Sequence, residues 1–84
     1  MITLPKQLKE IGITAFKSCS KLTTVNIPGT LTKIGKDAFS YSNKLTTINY
    51  DGTQAQWNAI TRDVSDGINV GVKVVCTDGT ITIS

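Results

Sequence analysis

The 84 residues contain no histidine, and Glu10 is the only glutamate. The missing histidine removes the commonest general base, the commonest metal ligand and every Ser-His or Cys-His nucleophile pair. The aspartates fall mostly in turn signals, so no paired carboxylates stand out for acid–base chemistry. Two cysteines, Cys19 and Cys76, are too few for a disulfide scaffold, and their spacing fits no zinc pattern. Sequence separation alone does not say whether they bridge. The segment from Asp63 to Gly71 holds Asp63, Ser65, Asp66, Gly67 and Asn69, but the oxygen ligands are wrongly spaced for calcium and no glutamate follows. It reads as a turn. Neither a cofactor nor a metal is expected, and an enzyme is not expected. No apolar run approaches ~20 residues, so no membrane span is expected. No charged start leads into an apolar core, so no signal peptide is expected in this chain. Aromatics make up only 6% and the lysines form no run, so the chain lacks a nucleic-acid stacking platform.

What is present is Ile, Val and Thr in quantity, too apolar a mixture for a disordered chain. The length fits one domain with a modest core. Charge is uneven: residues 1–50 hold seven lysines against Glu10 and Asp37, a net +5, whereas residues 51–84 hold Arg62 and Lys73 against Asp51, Asp63, Asp66 and Asp78, a net −2. Lysines of this kind keep a repetitive, Thr-rich surface soluble and its edges unpaired, or attract an anionic partner.

The most informative feature is internal similarity at an offset of 23 residues. Pro5 meets Pro28, Leu8 meets Leu31, and Ile11-Gly12 meets Ile34-Gly35. Ala15-Phe16 meets Ala38-Phe39, and Lys21-Leu22-Thr23-Thr24 meets Lys44-Leu45-Thr46-Thr47. The period lies in the leucine-rich-repeat range, and Leu22-x-x-Val25-x-Ile27 and Leu45-x-x-Ile48-x-Tyr50 fit L-x-x-L-x-L. The alternation at the end of each unit predicts a strand buried on one face. Val25 and Ile27 point inward. Thr3, Asn26 and Asn49 form one outward row, and Thr24 and Thr47 another. Pro28 ends the ladder locally. Leu31 and Ile34 are buried on a short extended segment, Gly35 turns the chain, and Asp37 caps a brief helical turn carrying Ala38 and Phe39. Phe16 and Phe39 are expected as stacked core wedges, with Ala15 and Ala38 small because the turn is tight. Cys19 occupies the position of Ser42, which points to a small buried packing role.

The strings Ile11-Gly12-x-x-Ala15-Phe16-x-x-Cys19-x-x-Leu22-x-x-Val25-x-Ile27-Pro28 and Ile34-Gly35-x-x-Ala38-Phe39-x-x-Ser42-x-x-Leu45-x-x-Ile48 resemble the bacterial surface-antigen (BspA-like) leucine-rich repeats. The resemblance covers residues 2–53, and Gly52-Thr53-x-x-Gln56-Trp57-x-x-Ile60 is similar to the segment that often follows the last repeat. Ser42 in place of Cys and Tyr50 in place of a strand aliphatic depart from the pattern. The resemblance implies an α/β leucine-rich-repeat solenoid, a short right-handed β-α superhelix with a parallel sheet of stacked short strands, closed by a C-terminal capping helix and β-hairpin. It also implies a non-catalytic, extracellular or cell-surface module for protein interaction and adhesion.

One structural domain is expected, with about two and a half repeats over 1–53 and a cap over 54–84. The cap reads as a short helix around 54–60 with Trp57 over the last repeat, a loop over 61–71 and a hairpin over 72–84. The hairpin turns at Asp78-Gly79, with Val74, Cys76, Ile81 and Ile83 as candidate inward residues. The chain starts at the end of a strand, at Ile2-Thr-Leu-Pro5, and lacks an N-terminal cap. That points to a piece of a longer array or to self-association through the bare first repeat, including Ile2, Leu4 and Leu8. The candidate partner-binding residues are the outward Thr3, Thr24, Asn26, Thr47 and Asn49, with Tyr50 and Asp51 at the margin. A carbohydrate- or anionic-polymer-binding adhesin is the alternative, using Tyr41, Tyr50 or Trp57 for stacking together with the lysines.

Overall fold

The computed structural model describes residues 2–63 and 65–83. Its strands are short runs in which β-branched residues alternate with polar ones, the pattern that suits a pleated, half-buried surface. Strands β1 (Ile2–Thr3), β3 (Thr24–Pro28), β5 (Thr47–Asp51), β7 (Lys73–Cys76) and β8 (Gly79–Thr82) form one sheet in that order. Strands β2 (Glu10–Ile11), β4 (Lys33–Ile34) and β6 (Thr61–Arg62) form a second. All pairings are parallel except the antiparallel β7–β8 hairpin. The chain is thus a β-solenoid of about three coils: coil one over 2–23, coil two over 24–46, coil three from 47.

Pairing follows the sequence repeat where the repeat exists. Ile2 lies beside Val25, Val25 beside Ile48, and Glu10 beside Lys33, each an offset of 23. Coil three departs from it. Lys33 pairs with Thr61, an offset of 28, and Thr47 pairs with Lys73, an offset of 26. Inside the solenoid the rows Val25–Ile48–Val74 and Ile11–Ile34 are buried, with Leu22, Ile27, Leu31 and Leu45 around them. A fully buried side chain of this size contributes about 1.5–3 kcal/mol.

The third side of each coil corrects the expected helical turn. Thr14 and Asp37 hold φ of 60° and 57°, and Ser18 and Tyr41 hold 60° and 63°, so two left-handed residues recur in each coil. Alternate N–H groups bond across coils: Phe16 to the Ala38 carbonyl (2.7 Å), Ser18 to Ser40 (2.7 Å), Phe39 to Asp66 (2.7 Å). A helix would use those donors internally and has no place for a left-handed residue every four positions. Asp37 therefore caps no helix; its carboxylate accepts from the Ser40 hydroxyl at 2.8 Å. Described helix is limited to α1 (Gln54–Ala59), so the α/β expectation gives way to a β-solenoid with little helix.

Phe16 and Phe39 stack, with centroids 5.3 Å apart and 12° between planes. Phe39 and Ala38 are fully buried in coil two, between two coils, while Phe16 is half-buried and Ala15 exposed in coil one, whose strands β1 and β2 are terminal in their sheets. Cys19 is half-buried for the same reason, against the expectation of burial. Its counterpart Ser42 is buried: the hydroxyl donates to the Phe16 carbonyl at 2.6 Å and accepts from the Cys19 N–H at 3.2 Å.

The segment expected as a loop contributes β6, a third rung of the second sheet. Asp66 there is buried, pairing with Arg62 Nε at 2.7 Å and accepting from the Ile68 N–H at 3.1 Å. Gly67 beside it has φ of 83°, and a Cβ there would overlap the Ser40 backbone. Cys76 lies opposite Gly79, so the hairpin turns at Thr77-Asp78 rather than Asp78-Gly79. Asp78 is thereby freed to accept from the Gln54 N–H at 2.8 Å, tying the turn to the start of α1. Val74 and Cys76 are buried, and Ile81 and Ile83 are partly buried against the core. Both cysteines are free thiols. No described helix is long and apolar enough to cross a membrane.

Candidate functional site

The outward face of the five-stranded sheet gathers most of the candidate residues. Thr3, Asn26 and Asn49 stand in one row. The Asn49 amide donates to Asn26 Oδ1 at 2.9 Å, and the Asn26 amide donates to Thr3 Oγ1 at 3.0 Å. Parallel pairing in register produces this: like residues recur one rung apart, within reach of a side-chain bond. The row is fixed before any partner arrives, so its rotamers are already ordered. Thr24 and Thr47 form the neighbouring row, which continues to Lys73. Val75 follows Asn49 in the first row and is exposed.

Toward the strand ends the row borders an open groove of about 350 Å³. Lys6 stands at its coil-one end, Pro28 in the middle and Asp51 at its coil-three end. Pro28 is itself the last residue of β3 and lies opposite Asp51.

Tyr50 does not belong to the outward set. It pairs with Ile27 at an inward position and is buried, meeting Trp57 edge to face at 5.4 Å. Burial pushes its phenol pKa up, and the nearby Cys76 and Asp51 push in the same direction. The Cys76 thiol is raised by burial and by Asp78. Trp57 is the largest fully buried side chain, with Arg62 5.5 Å from its ring centroid. Its position on α1 follows from Thr53, whose hydroxyl accepts from the Gln56 N–H at 3.2 Å while Gln56 Oε1 accepts from the Thr53 N–H at 2.8 Å. With Tyr50 and Trp57 enclosed, Tyr41 is the exposed aromatic ring among the described residues, with Lys17 Nζ 5.8 Å from its centroid. Sequence reasoning did not anticipate that pairing. Its signal was the counterpart offset, which places Tyr41 where coil one has Ser18, beside Lys17. Among the described residues no group of three His, Cys, Asp or Glu side chains is placed to hold a metal ion.

The family model described as BspA type leucine-rich repeat region (6 copies) matches residues 1–61. Neither a curated protein nor a solved structure matches the chain.

Proposed function

The chain belongs to the BspA-type leucine-rich repeat family, and from that membership we propose that it is a non-catalytic binding module of a cell-surface or secreted protein. Families of leucine-rich repeats are generally non-catalytic, and this one is typically surface-associated and suggests interaction or adhesion. The observation that carries the reading is the hydrogen-bonded Thr3–Asn26–Asn49 row beside the groove between Lys6 and Asp51. It offers a protein partner an ordered line of donors and acceptors with opposite charges at its ends. The hairpin and α1 act as the cap, covering the last coil with Trp57 and β8.

The adhesin alternative rests on Tyr41 and Lys17, because Tyr41 is the most exposed aromatic ring among the described residues, whereas Trp57 is enclosed and Tyr50 is buried, lining the groove. A panel of purified secreted proteins and a glycan array, probed with the chain and with Asn26→Lys/Asn49→Lys, separate the two readings. Protein binding lost in the double variant supports the strand face. Glycan binding that survives the double variant and is lost in Tyr41→Ala supports the alternative.

A further inference from the structure

Charge is sorted by the sides of the coil. The third side returns to the five-stranded sheet through a corner that recurs over 17–24, 40–47 and 68–73. Backbone bonds stack the three copies: the Ser18 N–H donates to the Ser40 carbonyl at 2.7 Å, Thr46 to Thr23 at 3.0 Å, and Lys73 to Thr46 at 2.9 Å. These stretches hold Lys17, Lys21, Lys44 and Lys73 and no carboxylate, while the rest of the chain sets five cations against all six carboxylates.

All four corner lysines are exposed. Lys21 and Lys44 hold the same place in successive coils, and Lys73 stands beside Thr47 in the next rung. Rungs about 4.8 Å apart bring such like charges together, which is unfavourable unless opposite charge lies between them. The second sheet answers this within the chain, where the register sets Glu10 beside Lys33. At the corner the carboxylates nearest in sequence are already engaged. Asp66 is buried and pairs with Arg62, and Asp37 accepts from the Ser40 hydroxyl.

The neighbours of these lysines narrow the chemistry of a ligand. Leu22, Leu45 and Val72 are turned into the core, and the amides of Asn43 and Asn69 are exposed. Tyr41 is exposed, with Lys17 Nζ 5.8 Å from its ring centroid. Cations, amides and one ring face suit a chain that carries both negative charge and hydroxyls. A single-stranded nucleic acid needs a ring for each of several successive bases.

We infer that this corner binds a linear acidic polysaccharide laid along the stack, its carboxylates among Lys21, Lys44 and Lys73 and a sugar ring on Tyr41. The inference rests on the adhesin reading, which it narrows from any glycan to a charged one and extends from Tyr41 and Lys17 to three further lysines. Lys73 opens β7, whereas Pro28 and Asp51 close β3 and β5, so this site and the groove lie toward opposite ends of the strands.

The test is a biolayer-interferometry titration of the full chain against polygalacturonate and against its methyl ester, the same sugar chain without the charge. The acid form is expected to bind at least about ten-fold more tightly, with affinity falling as salt rises from about 0.05 to about 0.5 M. Lys21→Gln/Lys44→Gln/Lys73→Gln loses that preference. Lys9→Gln/Lys33→Gln/Lys36→Gln removes the same charge from the other sides and keeps it. Equal loss in the two triple variants overturns the inference, because net charge alone then explains the attraction. So does single-stranded DNA that binds as tightly as the acid polymer and competes with it. Equal binding of acid and ester, lost in Tyr41→Ala, overturns the inference and leaves the adhesin reading standing. Binding of neither polymer overturns it too, and a blank glycan array beside that result removes the adhesin reading as well. Far-UV circular dichroism of each variant separates lost binding from lost folding.

Discussion

At the scale of single residues, buried polar groups decide more than their number suggests. Ser42 is buried and serves two backbone partners across coils, the Phe16 carbonyl and the Cys19 N–H. Ser42→Ala leaves both without it, and the expected loss is about 1–3 kcal/mol in urea unfolding, the usual cost of stranding a buried polar group. Ser42→Cys, with a weaker donor of similar shape, should lose less. Tyr50 and Cys76 set the pH response. Both are neutral when protonated, and the fold raises both pKa values above those of the open chain. The folded state therefore holds its protons to higher pH. Stability is complete below the ordinary thiol value and falls as pH climbs through about 8.5 and then about 10. Urea midpoints from pH 7 to 11 should show the decline, and Tyr50→Phe should remove its upper part. A flat profile would count against the enclosed phenol.

At the scale of elements, the strands of the repeated coils and of the hairpin were legible and the third side of each coil was not. Alternation marks Val25, Ile27 and Ile48 as inward with no knowledge of the fold, because side chains on a strand face opposite ways at successive positions. It also put Thr3, Asn26 and Asn49 in one row. The third side hid its conformation. Its left-handed positions hold Thr14, Ser18, Asp37 and Tyr41 instead of glycine, so residue type carried no warning. The inter-coil bonds that hold them there join residues distant in sequence. Tyr50 was set at the margin of the candidate surface, although its place in L-x-x-L-x-L is an inward one. The wedge made by Phe16 and Phe39 gives a test of how burial grades along the stack. Phe39→Ala should lose about 3–5 kcal/mol, and Phe16→Ala less, because Phe16 is already half-exposed. Thermal and urea unfolding of the two variants side by side check the order. Equal losses would mean that coil one is covered in solution.

At the scale of the whole molecule, stability in a repeat stack comes from contacts between neighbouring coils, so a coil with one neighbour is held less firmly than a coil with two. In the five-stranded sheet, amide exchange should be slowest in β3, β5 and β7, each paired on both sides, and faster in the terminal strands β1 and β8. Protection of β1 equal to that of β5 would contradict this grading. The third coil escaped sequence reading because its pairing offsets of 28 and 26 break the 23-residue self-similarity that reveals the others, so Thr61–Arg62 read as loop. Those same offsets bear on how the chain tolerates insertions. Coil two lies between two neighbours, and a residue added to it would shift every later rung against both. Beyond β5 the path to β6 takes five residues more than in the coil before it, six of its positions being α1, and the stack still closes. Length is strictly counted in the middle of this molecule and looser between β5 and β6, where the five added residues are taken up by the turn of helix that seats Trp57 against Tyr50.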